Sequence, residues 1–186
     1  ERADDRGIEY TPPVSGEGTI LIVGRGAREH ALAAKIATSP RAGRVLVAPG
    51  NAGTAREHEN LALSAVDHLP DIGAIVDQIA PDLVVIGPES PLVAGLADVL
   101  RGKGVRVFGP GSSGARLEGS KAYSKQFFVR HGLPTSPAEL FADAAKAHAF
   151  IDAASFVPVV KPDGLTGGKG VLVASWVASG IGDNDG

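Results

Sequence analysis

No cysteine occurs in the chain, so disulfides, thiolate catalysis and cysteine-ligated zinc are excluded, and the composition fits a reducing cytoplasm. Methionine is also absent, even at position 1; the expectation is a trimmed, processed or partial chain. Aromatics amount to 5%, too few to build stacking platforms for single-stranded nucleic acid. The formal net charge of −3 is opposite in sign to a surface that coats nucleic acid. No apolar run approaches the ~18 residues that span a bilayer. The opening stretch ERADDRGIEYTPPVSGEG lacks the apolar segment that a signal peptide needs. These absences leave a globular protein expected to act on small molecules, with neither nucleic acid nor membrane as partner.

With 186 residues, 44% hydrophobic and 21% charged, the chain can hold one domain and part of a second. Residues 1–18 are polar, contain Pro12-Pro13, and are expected to form a flexible leader. TILIVGRG (19–26) is an apolar run ending in glycines, the pattern of a buried parallel strand. AREHALAAKIATSP (27–40) follows with helical spacing, placing Ala31, Leu32 and Ile36 on one side. Further strands are expected at 44–50, 82–89 and 105–110, and helices at 68–80 and 91–104. This alternation predicts an α/β fold with a doubly wound parallel sheet over residues 19–113.

Ligands of such sheets sit at the carboxyl ends of the strands. Here those ends read Gly24-Arg25-Gly26, Ala48-Pro49-Gly50-Asn51, Gly87-Pro88-Glu89 and Gly109-Pro110-Gly111, glycine-rich as a backbone close to a ligand requires. Beyond a boundary near 111–116, one long helix is expected over 115–132, closed by Gly132 with Pro134 after it. A second is expected over 137–155, then strands at 156–161 and 170–175 around a glycine loop. Residues 176–186 lose apolar periodicity and read as a tail.

The motifs are best read by what they fail to match. GRGAREH (24–30) supplies G-x-G, but Glu29 stands where a dinucleotide fingerprint has its third glycine. The second strand also ends Ala48-Pro49 rather than in the acid that holds a ribose hydroxyl, so NAD is not implied. Arg28 and Glu29 nevertheless open a helix whose amides face the strand ends, a place where a phosphate could be received with Arg28 as counter-charge. His30 is given no role. APGNAGTA (48–55) offers Asn51, Gly53 and Thr54 in what is otherwise a polar turn. Glu89 reads either as a helix-initiating acid or as a carboxylate for sugar hydroxyls or an amine.

KPDGLTGGKGV (161–171) is not a G-x-x-x-x-G-K-[ST] loop. Its first glycine position holds Asp163, Gly170 follows Lys169 where a hydroxyl is needed, and both flanks read as strands. Lys161 ends an apolar run, Lys169 lies inside the glycine loop and Lys121 lies on a helix. Together with the loop amides they read as a triphosphate site.

With these residues assembled, the chain resembles phosphoribosylamine–glycine ligases, also called glycinamide ribonucleotide synthetases, from about residue 19 to 174. The stretches that carry the resemblance are LIVGRGAREHALAAKIATSP, VLVAPGNAGTA, DLVVIGPESPLVAGL, ARLEGSKAYSKQFF and VVKPDGLTGGKGVLVA. The resemblance implies a pre-ATP-grasp domain followed by the incomplete start of an ATP-grasp domain (114–175). The implied activity belongs to purine biosynthesis: ATP phosphorylates the glycine carboxylate, and the amine of 5-phosphoribosylamine attacks the glycyl phosphate. By position it implies a phosphosugar subsite of Gly24, Gly26, Arg28, Glu29, Asn51, Gly53, Thr54 and Glu89. It implies ATP contacts from Lys121, Lys161, Gly164, Gly167, Gly168, Lys169 and Gly170, with the loop closing over the phosphates.

Magnesium would accompany ATP, with ligands expected in sequence beyond this chain; Asp183 and Asp185 match no metal motif, and no catalytic residue is assigned. The chain alone is expected not to catalyse the ligation. A non-catalytic phosphosugar-binding module and another ATP-grasp carboxylate–amine ligase stand as alternatives. Against the latter, APGNAGTA paired with GPE-x-PL points to phosphoribosylamine rather than biotin or D-alanine. Apolar faces left uncovered in residues 115–175 are expected to make that part mobile or self-associating.

Overall fold

A computed structural model describes residues 18–167 and 169–173. The leader before residue 18, Gly168, the end of the last expected strand and the tail lie outside the described residues. The chain divides into two compact units, Glu1–Ser112 and Ser113–Gly186.

In the first unit, β1 (Gly18–Gly24) and β2 (Ala42–Pro49) are joined by α1 (Ala27–Ala37). A 3-10 turn (Thr54–Arg56) leads to β3 (Glu59–Asn60), followed by α2 (Leu69–Ile79), β4 (Leu83–Ile86), α3 (Glu89–Val93), α4 (Leu96–Gly102) and β5 (Val107–Phe108). The five strands are parallel in the order β3-β2-β1-β4-β5. β1 lies at the centre, pairing Val23 with Ala48 on one side and Ile86 on the other. Its residues alternate between faces. Ile20 and Ile22 pack with Ala33 of α1 and with Val47 and Val85, while Leu21 and Val23, facing the other way, are fully buried too. A sheet covered on both faces has no room for polar alternation, which is why its strands read as unbroken apolar runs.

One expected element differs here and one element is additional. The helix expected over 91–104 is broken into α3 and α4 by Gly95, whose φ of +90° lies in the left-handed region and ends the helical course there. β3 was not anticipated: two residues, Glu59 and Asn60, carry no periodicity, and they join the sheet only through β2.

The second unit contains α5 (Ser112–Gly119, its first residue in the first unit), α6 (Lys121–Arg130), α7 (Ala144–Ala153) and an antiparallel pair, β6 (Val159–Val160) and β7 (Leu172–Val173). The single helix expected over 115–132 is two helices. Ser120 is extended and its hydroxyl accepts the Tyr123 amide, capping α6 and ending α5. Gly132, with φ of +64°, follows α6 as expected. The helix expected from 137 begins only at 144, because Asp143 takes the cap position and accepts the Lys146 amide. The strand–loop–strand arrangement around the glycine loop is present, with β6 shorter than the expected 156–161 and β7 beginning at Leu172 rather than at 170.

Candidate functional site

The strand order turns outward in opposite directions from β1 and β4, so the crevice of this sheet opens at the carboxyl ends of those two strands. Arg28 and Glu29 follow β1, and Glu89 follows β4; the fold brings all three together. Arg28 Nε donates to Glu29 Oε1 at 3.0 Å and its Nη2 lies 3.5 Å from Glu89 Oε2. The side chains of Arg28 and Glu89 are 60% and 42% exposed, whereas that of Glu29 is 4% exposed. The Arg28 pKa is raised, first by its hydrogen bond to Glu29, against a smaller opposing effect of burial.

Glu29 is not free to meet a ligand. Its Oε2 accepts the Gly26 amide at 2.7 Å, so this carboxylate caps α1 from within. At the α1 N-terminus, where a phosphate was expected, the Gly26 amide is therefore spent on the chain's own acid. The glycines expected to let a ligand approach at Gly24 and Gly87 accommodate the same side chain: a Cβ at either would lie 2.4 or 2.2 Å from Glu29 atoms. Gly26 is likewise crowded by Glu29. Arg28 stands between two carboxylates, which suits hydrogen-bond donors such as hydroxyls or an amine better than a phosphate.

The loop after β2 follows a cis Ala48–Pro49 peptide and is closed by its own polar groups. Asn51 Oδ1 accepts the amides of Gly53 and Thr54 at 2.7 and 3.1 Å, and Asn51 Nδ2 donates to Arg25 O at 3.0 Å. Thr54 is fully buried. Its hydroxyl accepts from the Asn51 amide and lies within 2.9 Å of both Asn51 O and Asn60 Oδ1. Thr54 therefore shapes the loop rather than touching solvent. Asn60, overlooked in the sequence, completes the network by donating to Asn51 O at 3.0 Å; nothing in its local pattern marks it. His30, given no role, packs on Gly53, where a Cβ would come within 2.6 Å of its ring.

In the second unit, Lys121 Nζ donates to Gly164 O at 2.6 Å. Asp163, noticed in the sequence only for breaking a phosphate-loop pattern, accepts the Ala122 amide at 3.2 Å and lies 3.1 Å from Ser120 Oγ. Its carboxyl is held below the usual range, chiefly by the Ala122 amide. These bonds fix the stem of the glycine loop to the start of α6. Within the loop, Gly164, Gly167 and Gly170 have positive φ and the Lys169 amide donates to Thr166 O at 3.1 Å. Lys161 and Lys169 are exposed. Gly168 lies outside the described residues. Among the described residues no cluster of three or more histidine or acidic side chains could hold a metal. No helix among them is long and apolar enough to cross a membrane.

Comparison with known proteins agrees with this layout. Residues 18–118 match the family model of the phosphoribosylglycinamide synthetase N domain, and residues 119–181 that of its ATP-grasp (A) domain. A phosphoribosylamine–glycine ligase of Caulobacter vibrioides is 51% identical over 156 residues, 84% of this chain and 36% of the relative. The crystal structure of the phosphoribosylamine–glycine ligase of Thermotoga maritima is 32% identical with a TM-score of 0.66, covering 88% of this chain and 38% of that one. The biotin carboxylase domain of Hydrogenobacter thermophilus 2-oxoglutarate carboxylase, solved with MgADP, ADP and bicarbonate, shares the fold at 16% identity (TM-score 0.68, 84% of this chain and 37% of that one). The chain spans 36–37% of the length of the curated relatives it matches. From the N-terminal strand to the glycine loop, then, this chain belongs to the phosphoribosylglycinamide synthetase family.

Proposed function

We propose that these residues supply the phosphoribosylamine-recognising part, and the phosphate-covering loop, of an ATP-dependent ligase that joins glycine to 5-phosphoribosylamine in purine biosynthesis. One observation carries the reading. An exposed carboxylate, Glu89, and an exposed guanidinium, Arg28, meet at the switch point of the sheet, 3.5 Å apart. Glu89 accepts hydrogen bonds from ribose hydroxyls or the amine, and Arg28 keeps that carboxylate oriented. The Asn51–Thr54 loop forms a wall of the same subsite with its backbone.

A carboxylate is a poor electrophile until one oxygen becomes a leaving group. The γ-phosphoryl group of ATP passes to a glycine oxygen, leaving ADP. The amine nitrogen then bonds to the acyl carbon, the carbon–oxygen bond to phosphate breaks, and glycinamide ribonucleotide and phosphate result. The loop fits a nucleotide's phosphates by its chemistry: glycine-bounded amides with Lys161 and Lys169 exposed beside them and Lys121 holding the stem. The described residues offer no acidic cluster for magnesium, and no step is assigned to it.

Calorimetric titration of the chain with ribose 5-phosphate tests the sugar subsite. Saturable heat is expected, with at least ten-fold weaker binding in Glu89→Gln. Equal affinities of the two proteins would remove Glu89 from the site.

A further inference from the structure

We propose that Glu29 is a specificity-determining residue: a built-in anion that closes the α1 N-terminus to phosphate groups. This goes beyond the ligase reading, because it concerns what the turn can admit and not what reaction follows.

The position of Glu29 in the sequence is telling. In GRGARE it occupies the third slot of the G-x-G-x-x-G pattern. In dinucleotide-binding folds a glycine there lets helix and strand pack closely, and the pyrophosphate rests on the free amides of the helix N-terminus. Here the same sheet order and the same strand–turn–helix are present, but a buried carboxylate occupies the Gly26 amide at the head of the turn. It lies 2.7 Å from the Gly26 amide, 3.0 Å from Arg28 Nε, and is 3% exposed as a residue.

The surroundings are shaped to this side chain and to nothing larger. Gly24, with φ of +139°, and Gly87, at the end of the neighbouring strand, both leave their Cβ space to it. Any side chain at Gly87 would overlap Glu29 Oε1 at 2.2 Å. A phosphate arriving here would meet a filled volume, a spent amide donor and a like charge at contact distance. Glu29 also takes the Nε edge of Arg28, leaving Nη2 directed at Glu89. The turn thus admits uncharged or cationic donors and turns anions away. A substrate phosphate must be held elsewhere.

The test is a pyrophosphate titration followed by amide NMR shifts, comparing wild type, Glu29→Gln and Glu29→Gly. In wild type, the Gly26, Ala27 and Arg28 amides are expected not to shift saturably. Glu29→Gln, which removes the charge but still fills the volume, should bind pyrophosphate there more weakly than Glu29→Gly, and Glu29→Gln binding as tightly as Glu29→Gly would overturn the part assigned to the filled volume. Glu29→Gly, which empties both volume and charge, should bind pyrophosphate at these amides at least ten-fold more tightly. A folded Glu29→Gly protein with no gain would overturn the proposal. So would saturable shifts at Gly26 in wild type, a result that decides the matter even if Glu29→Gly does not fold. Neither outcome depends on ligase activity or on ribose 5-phosphate binding, so failure here and failure of the ligase reading are told apart.

Discussion

The two units of this chain are stabilised in different ways. The first buries a parallel sheet on both faces, with Leu21, Ile22, Val23, Leu46, Val47 and Val84 at no more than 0% exposure. In the second, Ala115 and Ser124 are the only buried positions among the described residues, and Phe156, Val157, Val159 and Leu172 are each more than half exposed. What orders the second unit is local: a Ser120 cap, an Asp143 cap, the Asp163 and Lys121 bonds to the loop stem, and Lys125 bonded to Thr135 and Ser136. Arg28, Glu29 and Glu89 are thus held on a rigid core and the stem of the glycine loop by a few polar tethers. Under the proposed function, that division would serve a fixed recognition site beside a loop of lower local stability.

The contrast can be broken most decisively by hydrogen exchange. Amides of Leu21–Val23 and Val84–Ile86 should exchange about a thousand-fold or more slowly than those of α6 and α7, since the former open only with the whole unit. Comparable protection in both units, in a monomer, would erase the distinction. Next in size is core truncation. Leu21→Ala should cost the first unit about 2–5 kcal/mol in denaturant unfolding, whereas Leu172→Ala, at a site 57% exposed, should stay within about 0.5 kcal/mol. Removing the α6 cap in Ser120→Ala should cost about 1 kcal/mol and be read in α6 amide protection while the sheet is untouched.

The smallest effect concerns pH. Asp163 is held below the ordinary 3.8, first by the Ala122 amide and then by Ser120. A lowered carboxylate stabilises the folded form fully above 3.8, and that contribution is lost as pH falls through its lower folded value. The Ala122 amide shift should therefore show an acid transition below 3.8 in wild type and none in Asp163→Asn. An identical transition in both would mean that this carboxylate does not hold the loop stem.

Much of the first unit was legible because its signals are local. LIVG, VLVA and LVVI are short apolar runs with glycine or proline at their ends, and a chain in that pattern has few alternatives to buried parallel strands. The second unit was less legible for the same reason reversed. Its helix ends are set by single capping side chains at Ser120 and Asp143, which compete with an apolar spacing that alone would run straight through. In the candidate site, Arg28, Glu89 and Asn51 were readable as polar groups at strand ends, but their relations were not. Thr54 looked like a ligand-facing hydroxyl and is a buried strut to Asn60.

By its own pattern the sequence determined the α/β architecture, the strand-end placement of the candidate site and, through its combined motifs, the family. Tertiary structure alone decided which polar groups are spent inside the protein and which stay exposed. The reason is physical: whether a carboxylate such as Glu29 is a ligand contact or a cap depends on the Gly26 amide, Arg28 and the space left by Gly87. Gly87 reaches it only across the sheet, and hydrogen-bond satisfaction is settled by neighbours in space, not by spacing along the chain.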